Sequence, residues 1–222
     1  MIITGNPKEG VAQALHKIYP RAVFCSRESG YELTNTDHMF QFANECIKHD
    51  QIIINSALWR FSQTVLLDLV YKALRNAKSE AHIVCIGSTT DRTKKGTTWL
   101  YNAEKKALRD FSNSLALVGV WHSGPKVSYI SFGTLSNNQE KHLDRKCMDI
   151  DQAASYIKWL LEQPKDVNIN ENIDLEFVCD LEKKIIKNSE YNYQTFLAKD
   201  LNEKGLDKFE IQSKQPETLL IR

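Results

Sequence analysis

The chain has 222 residues, enough for one α/β domain with a full core and room for an appendage. Its 42% hydrophobic and 26% charged residues are those of an ordinary globular protein, and a formal net charge of +1 supplies no field for nucleic acid or an anionic membrane. No apolar run approaches the roughly eighteen residues that span a bilayer. The five cysteines (Cys25, Cys46, Cys85, Cys147, Cys179) lack any C-x-x-C pair, and the histidines stand singly. That predicts free thiols and no metal site. The first residues run straight into a strand pattern, with neither a basic leader nor a small-residue cleavage site, so the expected compartment is the cytoplasm.

Short apolar runs alternate with segments of 3.6-residue periodicity through the first two thirds of the chain, the βαβ pattern of a parallel sheet. In order, strands are predicted at Met1–Thr4, Arg21–Cys25, a short Tyr31–Leu33, Gln51–Asn55, His82–Gly87 and Val127–Ile130. Helices are predicted at Gly10–Ile18, Thr36–His49, Phe61–Ala77, Thr97–Val118 and Ile150–Glu162, the last stopped by Pro164. Val167–Ile169 could add a final strand. Ile52-Ile53-Ile54 is apolar on both faces, as in a sheet covered on both sides. The fold class expected is a doubly wound, three-layer α/β sheet over residues 1–172.

Beyond Asn172 the texture changes. Residues 165–222 carry 9 Lys and Arg against 12 Asp and Glu, and the apolar residues are isolated. Residues 173–222 are therefore read as a polar extension that is either partly helical or disordered. Helical spacing is clearest over Ile173–Lys187 (Leu175, Val178, Leu181, Ile185).

The first strand runs into Thr4-Gly5-Asn6-Pro7-Lys8-Glu9-Gly10-Val11 and then a helix. Gly5 permits a tight turn and Gly10 a close backbone approach at a helix N-terminus, where free N–H groups and the helix dipole favour a pyrophosphate. A strand-to-helix turn with no ligand would have the same appearance. The second strand ends at Ser26-Arg27. An acid at that position accepts from a ribose 2′-hydroxyl, whereas an Arg accommodates a 2′-phosphate, so Arg27 favours NADP over NAD. Lys8 could reach the same phosphate; alternatively both are solvated surface cations.

Further on, Ser88 ends an apolar strand and Tyr101 lies four residues before Lys105. Residues at i and i+4 share a helix face, and a lysine ammonium beside a phenol lowers its pKa from about 10. A tyrosine tuned in this way exchanges a proton with an alcohol or carbonyl near neutral pH.

Thr4-Gly5, Gly10, Ser26-Arg27, Glu32-Leu-Thr-Asn35, Asn55-Ser-Ala57, Ser88, Tyr101-x-x-x-Lys105 and Val127-Ser-Tyr-Ile-Ser-Phe-Gly133-Thr134 occur together in a known order. Over residues 1–170 the chain resembles the short-chain dehydrogenase/reductase family. The resemblance implies a Rossmann-type sheet that binds NADP, or less readily NAD, and a site made of Ser88, Tyr101 and Lys105. Tyr101 would be the general acid/base. Lys105 would lower its pKa and bind the nicotinamide ribose, and Ser88 would hold the substrate oxygen. Gly5, Asn6, Gly10 and Val11 would line the pyrophosphate and Leu33 the adenine. Asn55 and Ala57 would flank the adenosine half, with Gly133 and Thr134 near the nicotinamide. A small carbonyl or alcohol substrate and a homodimer or homotetramer are implied as well.

The chain departs from the family pattern in four places. One extra residue separates Gly5 from Gly10, and Phe132-Gly133 replaces the usual Pro-Gly. The stretch after Gly133 is short and polar. Many members add an asparagine to a proton relay, and the corresponding region here, Arg60-Phe-Ser-Gln63, has none; Ser62 or Gln63 could organise a water instead. These departures leave open a second reading, a dinucleotide-binding regulatory or structural protein with weak or no catalysis.

Overall fold

A computed structural model of the chain describes residues 1–55, 60–92, 98–121, 124–141 and 146–164, with the backbone of 173–175. All of them fall within one compact unit, Met1–Glu176. Six parallel strands form one sheet: β1 (Ile2–Thr4), β2 (Val23–Cys25), β3 (Gln51–Ile54), β4 (His82–Ser88), β5 (Lys126–Phe132) and β6 (Ile173–Leu175). Their spatial order is β2-β1-β3-β4-β5-β6, so the chain winds outward from β1 in one direction and returns to wind in the other. Parallel neighbours need crossovers, and helices supply them. These are α1 (Gly10–Ile18), α2 (Thr36–Cys46), α3 (Ser62–Asn76), α4 (Leu100–Trp121) and α5 (Ile150–Leu161). None of the described helices is long and apolar enough to cross a membrane.

The period-2 alternation of each strand sends its side chains to two separate layers. Ile2, Ile52, Ile54, Ile83, Cys85, Val127 and Tyr129 join a core with Phe42 of α2, Leu66, Leu67 and Leu74 of α3, and Leu108 of α4. Ile3, Ile53, Val84 and Ile130, at the intervening positions, are also fully or almost fully buried. On that opposite face α1 packs against α5, burying Leu15, Ala153, Ala154, Ile157 and Leu160. The helix starts follow local chemistry. Asn35 Oδ1 accepts from the backbone N–H of Asp37 (2.8 Å) and His38 (3.4 Å) to cap α2, and Asp149 accepts from Asp151 N–H (2.7 Å) to cap α5.

Three expectations change. Tyr31–Leu33 is not a strand. The chain leaves β2 through a 3-10 turn at Arg27–Ser29 and left-handed Gly30. The Tyr31 N–H then bonds to Ser26 O (2.8 Å) and the Glu32 N–H to His38 Nδ1 (2.9 Å), so these donors are spent locally and no ladder can form. Second, Ile173–Leu175 is the strand β6, in register with Ile130–Phe132, rather than the start of a helix. The sheet unit thus extends past Asn172. Third, two helices change bounds: α4 begins and ends about three residues later than its periodicity suggested, running through Trp121, and α2 stops at Cys46, three residues short of His49. The proposed strand at Val167–Ile169 and the extension beyond Leu175 lie outside the described residues.

Candidate functional site

The C-terminal ends of β1, β3, β4 and β5 form one edge of the sheet, where a doubly wound fold places its ligands. On leaving β1 the chain makes the glycine turn. Gly5 (φ 129°) and Gly10 (φ 53°) both adopt positive φ, which L side chains rarely tolerate. A Cβ on Gly10 would meet Asn137 Nδ2 at 3.3 Å, so the residues following β5 lie against this turn. Glu9 precedes α1 without any side-chain cap, and the first turn holds no acid. The first N–H groups of α1, from Gly10 and Val11, are therefore available to an anion.

The cations predicted nearby are paired. Lys8 Nζ lies 3.2 Å from Glu28, and Asn6 Nδ2 donates to the same carboxylate (3.0 Å). Arg27 Nε is 3.9 Å from Glu32 with its side chain 83% exposed. Both pairs are solvent-exposed and so weak. Ser26 N–H is taken up by Ser29 Oγ (2.8 Å), and Asn55 N–H by Thr4 Oγ1 (2.8 Å), which ties β3 to β1 at the site edge. Leu33 is buried within the core, not displayed on an open face. Ala57 lies outside the described residues. Gly133 and Thr134 follow β5, and Thr134 O accepts from Met148 N–H (2.9 Å).

Ser88 is the last residue of β4, and Tyr101 and Lys105 occupy successive turns of α4. The structure brings all three together. The Ser88 side chain lies close enough to the Tyr101 phenol to influence its pKa, and Lys105 Nζ lies 5.3 Å from the centroid of the Tyr101 ring. Trp99 covers part of the same ring, with centroids 4.9 Å apart.

The electrostatics differ from the sequence expectation. Burial holds the Tyr101 phenol above its ordinary value of 10, Glu104 and Asp91 add to the rise, and the Ser88 side chain works against it. The neighbouring Lys105 does not bring it below that value. Only 4% exposed, that lysine is itself depressed to about 8 by burial, and its Nζ donates to Gln63 Oε1 (2.7 Å). At neutral pH the pair is a protonated phenol beside an ammonium that gives up its proton easily.

Three residues of this edge escaped the sequence reading. Asp91, 1% exposed, sits in the 3-10 turn that follows Ser88. Its Oδ2 accepts from Tyr129 OH (2.7 Å) and Ser131 Oγ (3.0 Å) of β5. Arg109 of α4 donates to its backbone O (3.1 Å). Glu104, next to Lys105, accepts from the backbone N–H of Arg60 (2.6 Å). Asn137 lies over the glycine turn. An acid three residues after an apolar strand ending at Ser88 could have drawn attention to Asp91; nothing local marks the other two. Cys85, fully buried beneath the site, has its thiol pushed up to about 12 and is inert as a nucleophile.

No family model matches the sequence, and no curated protein sequence matches it. Solved structures do. The closed form of serine dehydrogenase complexed with NADP+ is 14% identical, covering 81% of this chain and 96% of that one with a TM-score of 0.62. ElxO with NADP bound is 12% identical over 78% of this chain and 95% of that one, with a TM-score of 0.64. A short-chain dehydrogenase from Burkholderia cenocepacia J2315 in complex with NADP is 12% identical over 89% and 95%, TM-score 0.63. With strand order, helix layers and these overlaps together, the chain has the Rossmann-type fold seen in the short-chain dehydrogenases.

Proposed function

We propose that the protein is an NADP(H)-dependent oxidoreductase acting on a small carbonyl or alcohol substrate. The observation that carries this reading is the convergence of Ser88, Tyr101 and Lys105 at the end of β4, on a fold whose solved neighbours include NADP complexes. The nicotinamide, when bound, supplies or accepts the hydride. The residues present fit such a cofactor: an uncapped helix N-terminus behind two positive-φ glycines for the pyrophosphate, and exposed Arg27 for a 2′-phosphate.

Ser88 Oγ–H then orients the substrate oxygen beside the Tyr101 hydroxyl. Held above its ordinary pKa, Tyr101 keeps its proton at neutral pH and donates it to the oxygen as a carbonyl is reduced. Lys105 offsets the phenolate charge that results. Three further elements belong to the reading. A reducing compartment, the cytoplasm, suits the buried free thiols Cys25, Cys46 and Cys85. Exposed Val65 on α3 and Leu117 on α4 suit a homodimer or homotetramer. The polar residues 177–222 would form an extension outside the dinucleotide-binding unit.

A second reading, cofactor binding without efficient turnover, is favoured by the raised phenol. The test compares wild type with Tyr101→Phe, using NADPH titration by fluorescence and a panel of aldehydes and ketones. Loss of turnover by at least about 100-fold with intact NADPH binding supports the oxidoreductase. Binding with no turnover by wild type supports the second reading. Equal turnover by both proteins removes Tyr101 from the chemistry, and absence of NADPH binding removes both readings.

A further inference from the structure

Gln63 is the second residue of α3, yet it is 4% exposed and faces inward across the sheet edge. The two residues that deliver it, Arg60 (φ 56°) and Phe61 (φ 61°), are both in the left-handed region, a conformation that non-glycine residues hold only where surrounding contacts impose it. One such contact is the 2.6 Å hydrogen bond from Arg60 N–H to Glu104 of α4. The other is Gln63 itself. Its Nε2 donates to Ile54 O (3.1 Å) and Ile86 O (3.0 Å), at the ends of β3 and β4, and its Oε1 accepts from Lys105 Nζ (2.7 Å).

Every hydrogen-bonding group of this amide except one oxygen lone pair is therefore used. Both N–H donors are locked onto main-chain carbonyls, and an amide neither takes up nor releases a proton at any pH at which the protein is folded. We propose that Gln63 is a positioning residue for Lys105: it anchors the ammonium to the ends of β3 and β4 and closes the α3 side of Lys105 to proton transfer. Carbonyl reduction consumes one proton per turnover. The meaning of the contact for catalysis rests on the oxidoreductase reading; the contact itself does not.

The other titratable groups facing Lys105 are Cys85 from β4, Tyr101 and Glu104 from α4, and Asp91 from the turn after β4. Gln63 is neutral, so Gln63→Glu adds charge on one side of the lysine alone, and Gln63→Met adds none.

The experiment follows the Lys105 side-chain signal by NMR in 13C-lysine-labelled full-length protein, assigned with Lys105→Arg. The wild-type midpoint is expected near pH 8. Gln63→Glu places a carboxylate against Nζ and is expected to raise the midpoint by about one unit or more, while Gln63→Met removes the acceptor and lowers it. In wild type, the Gln63 carboxamide protons are expected to exchange with solvent at least about 100-fold more slowly than those of an exposed glutamine. That measurement and Gln63→Glu decide the matter if Gln63→Met does not fold. Unmoved midpoints in the variants, or fast carboxamide exchange in wild type, overturn the proposal. Turnover with NADPH alongside an unmoved midpoint discards Gln63's hold and keeps the oxidoreductase; a moved midpoint in a protein that binds no NADPH does the reverse.

Discussion

The Tyr129 ring of β5 reaches over Gly87 of β4, so that a Cβ on Gly87 would fall 1.8 Å from the Tyr129 hydroxyl oxygen. The ring has no way to yield, because it is buried and its hydroxyl is bonded to Asp91. Gly87→Ala is therefore expected to push Tyr129 off Asp91 and to cost about 1–3 kcal/mol, the usual penalty for overpacking a core. Urea unfolding gives the cost, and loss of near-ultraviolet dichroism reports the displaced ring. A variant as stable as wild type would show that the ring does not occupy this space.

Asp91 joins three elements that frame Ser88 and Tyr101, and its removal strands the Tyr129 and Ser131 hydroxyls in the core. Asp91→Ala is expected to destabilise by roughly 2–4 kcal/mol, since charge-assisted hydrogen bonds are lost and buried donors are left unsatisfied. Asp91→Asn keeps the shape and removes the charge. Because the Asp91 charge helps hold the Tyr101 phenol up, the Tyr101 midpoint in an ultraviolet titration is expected to fall in Asp91→Asn.

His82 opens β4, and its Nε2 shares a 2.9 Å hydrogen bond with Ser128 Oγ of β5. Burial, with Lys126 adding to it, depresses its pKa to about 4 from 6.5. Between these values the unfolded chain binds a proton that the folded chain does not. Stability from this group is present above pH 6.5 and is lost as pH falls toward 4, with a slope of at most about 1.4 kcal/mol per pH unit. His82→Asn is expected to flatten the pH dependence of the urea midpoint between pH 4 and 6.5. An unchanged slope would place the acid sensitivity elsewhere.

Arg27 should discriminate between the two nicotinamide cofactors. Arg27→Ala is expected to weaken NADPH binding about tenfold and leave NADH nearly unchanged, as for loss of one exposed charged hydrogen bond of about 1.5 kcal/mol. Glu32→Gln, which frees Arg27 from its 3.9 Å partner, is expected to act in the opposite sense. Equal losses for both cofactors, read by fluorescence titration, would remove Arg27 from the 2′-phosphate.

Most of the architecture was legible in one dimension because its causes are local. Short apolar runs and helical segments with period 3.6 marked β1 to β5 and the five described helices. The proximity of Ser88, Tyr101 and Lys105 was legible for the same reason: Tyr101 and Lys105 are one helical turn apart, and Ser88 ends an apolar strand. The false strand at Tyr31–Leu33 shows the limit. Those residues have strand-like composition, but whether a backbone N–H joins a ladder depends on which acceptor lies nearest, and here Ser26 O and His38 Nδ1 take them.

The chemistry of the trio followed from residues far away in the chain. Periodicity and spacing place Lys105 beside Tyr101, and from them alone the lysine should lower the phenol. Packing reverses the outcome. Lys105 is buried and bonded to Gln63, 42 positions earlier, and Tyr101 is buried near Asp91 and Glu104. Helical spacing is a property of a few consecutive residues, and so can be read from them. The pKa of a group depends on how much water, and which charges, the whole fold leaves around it, and no stretch of the chain carries that information by itself.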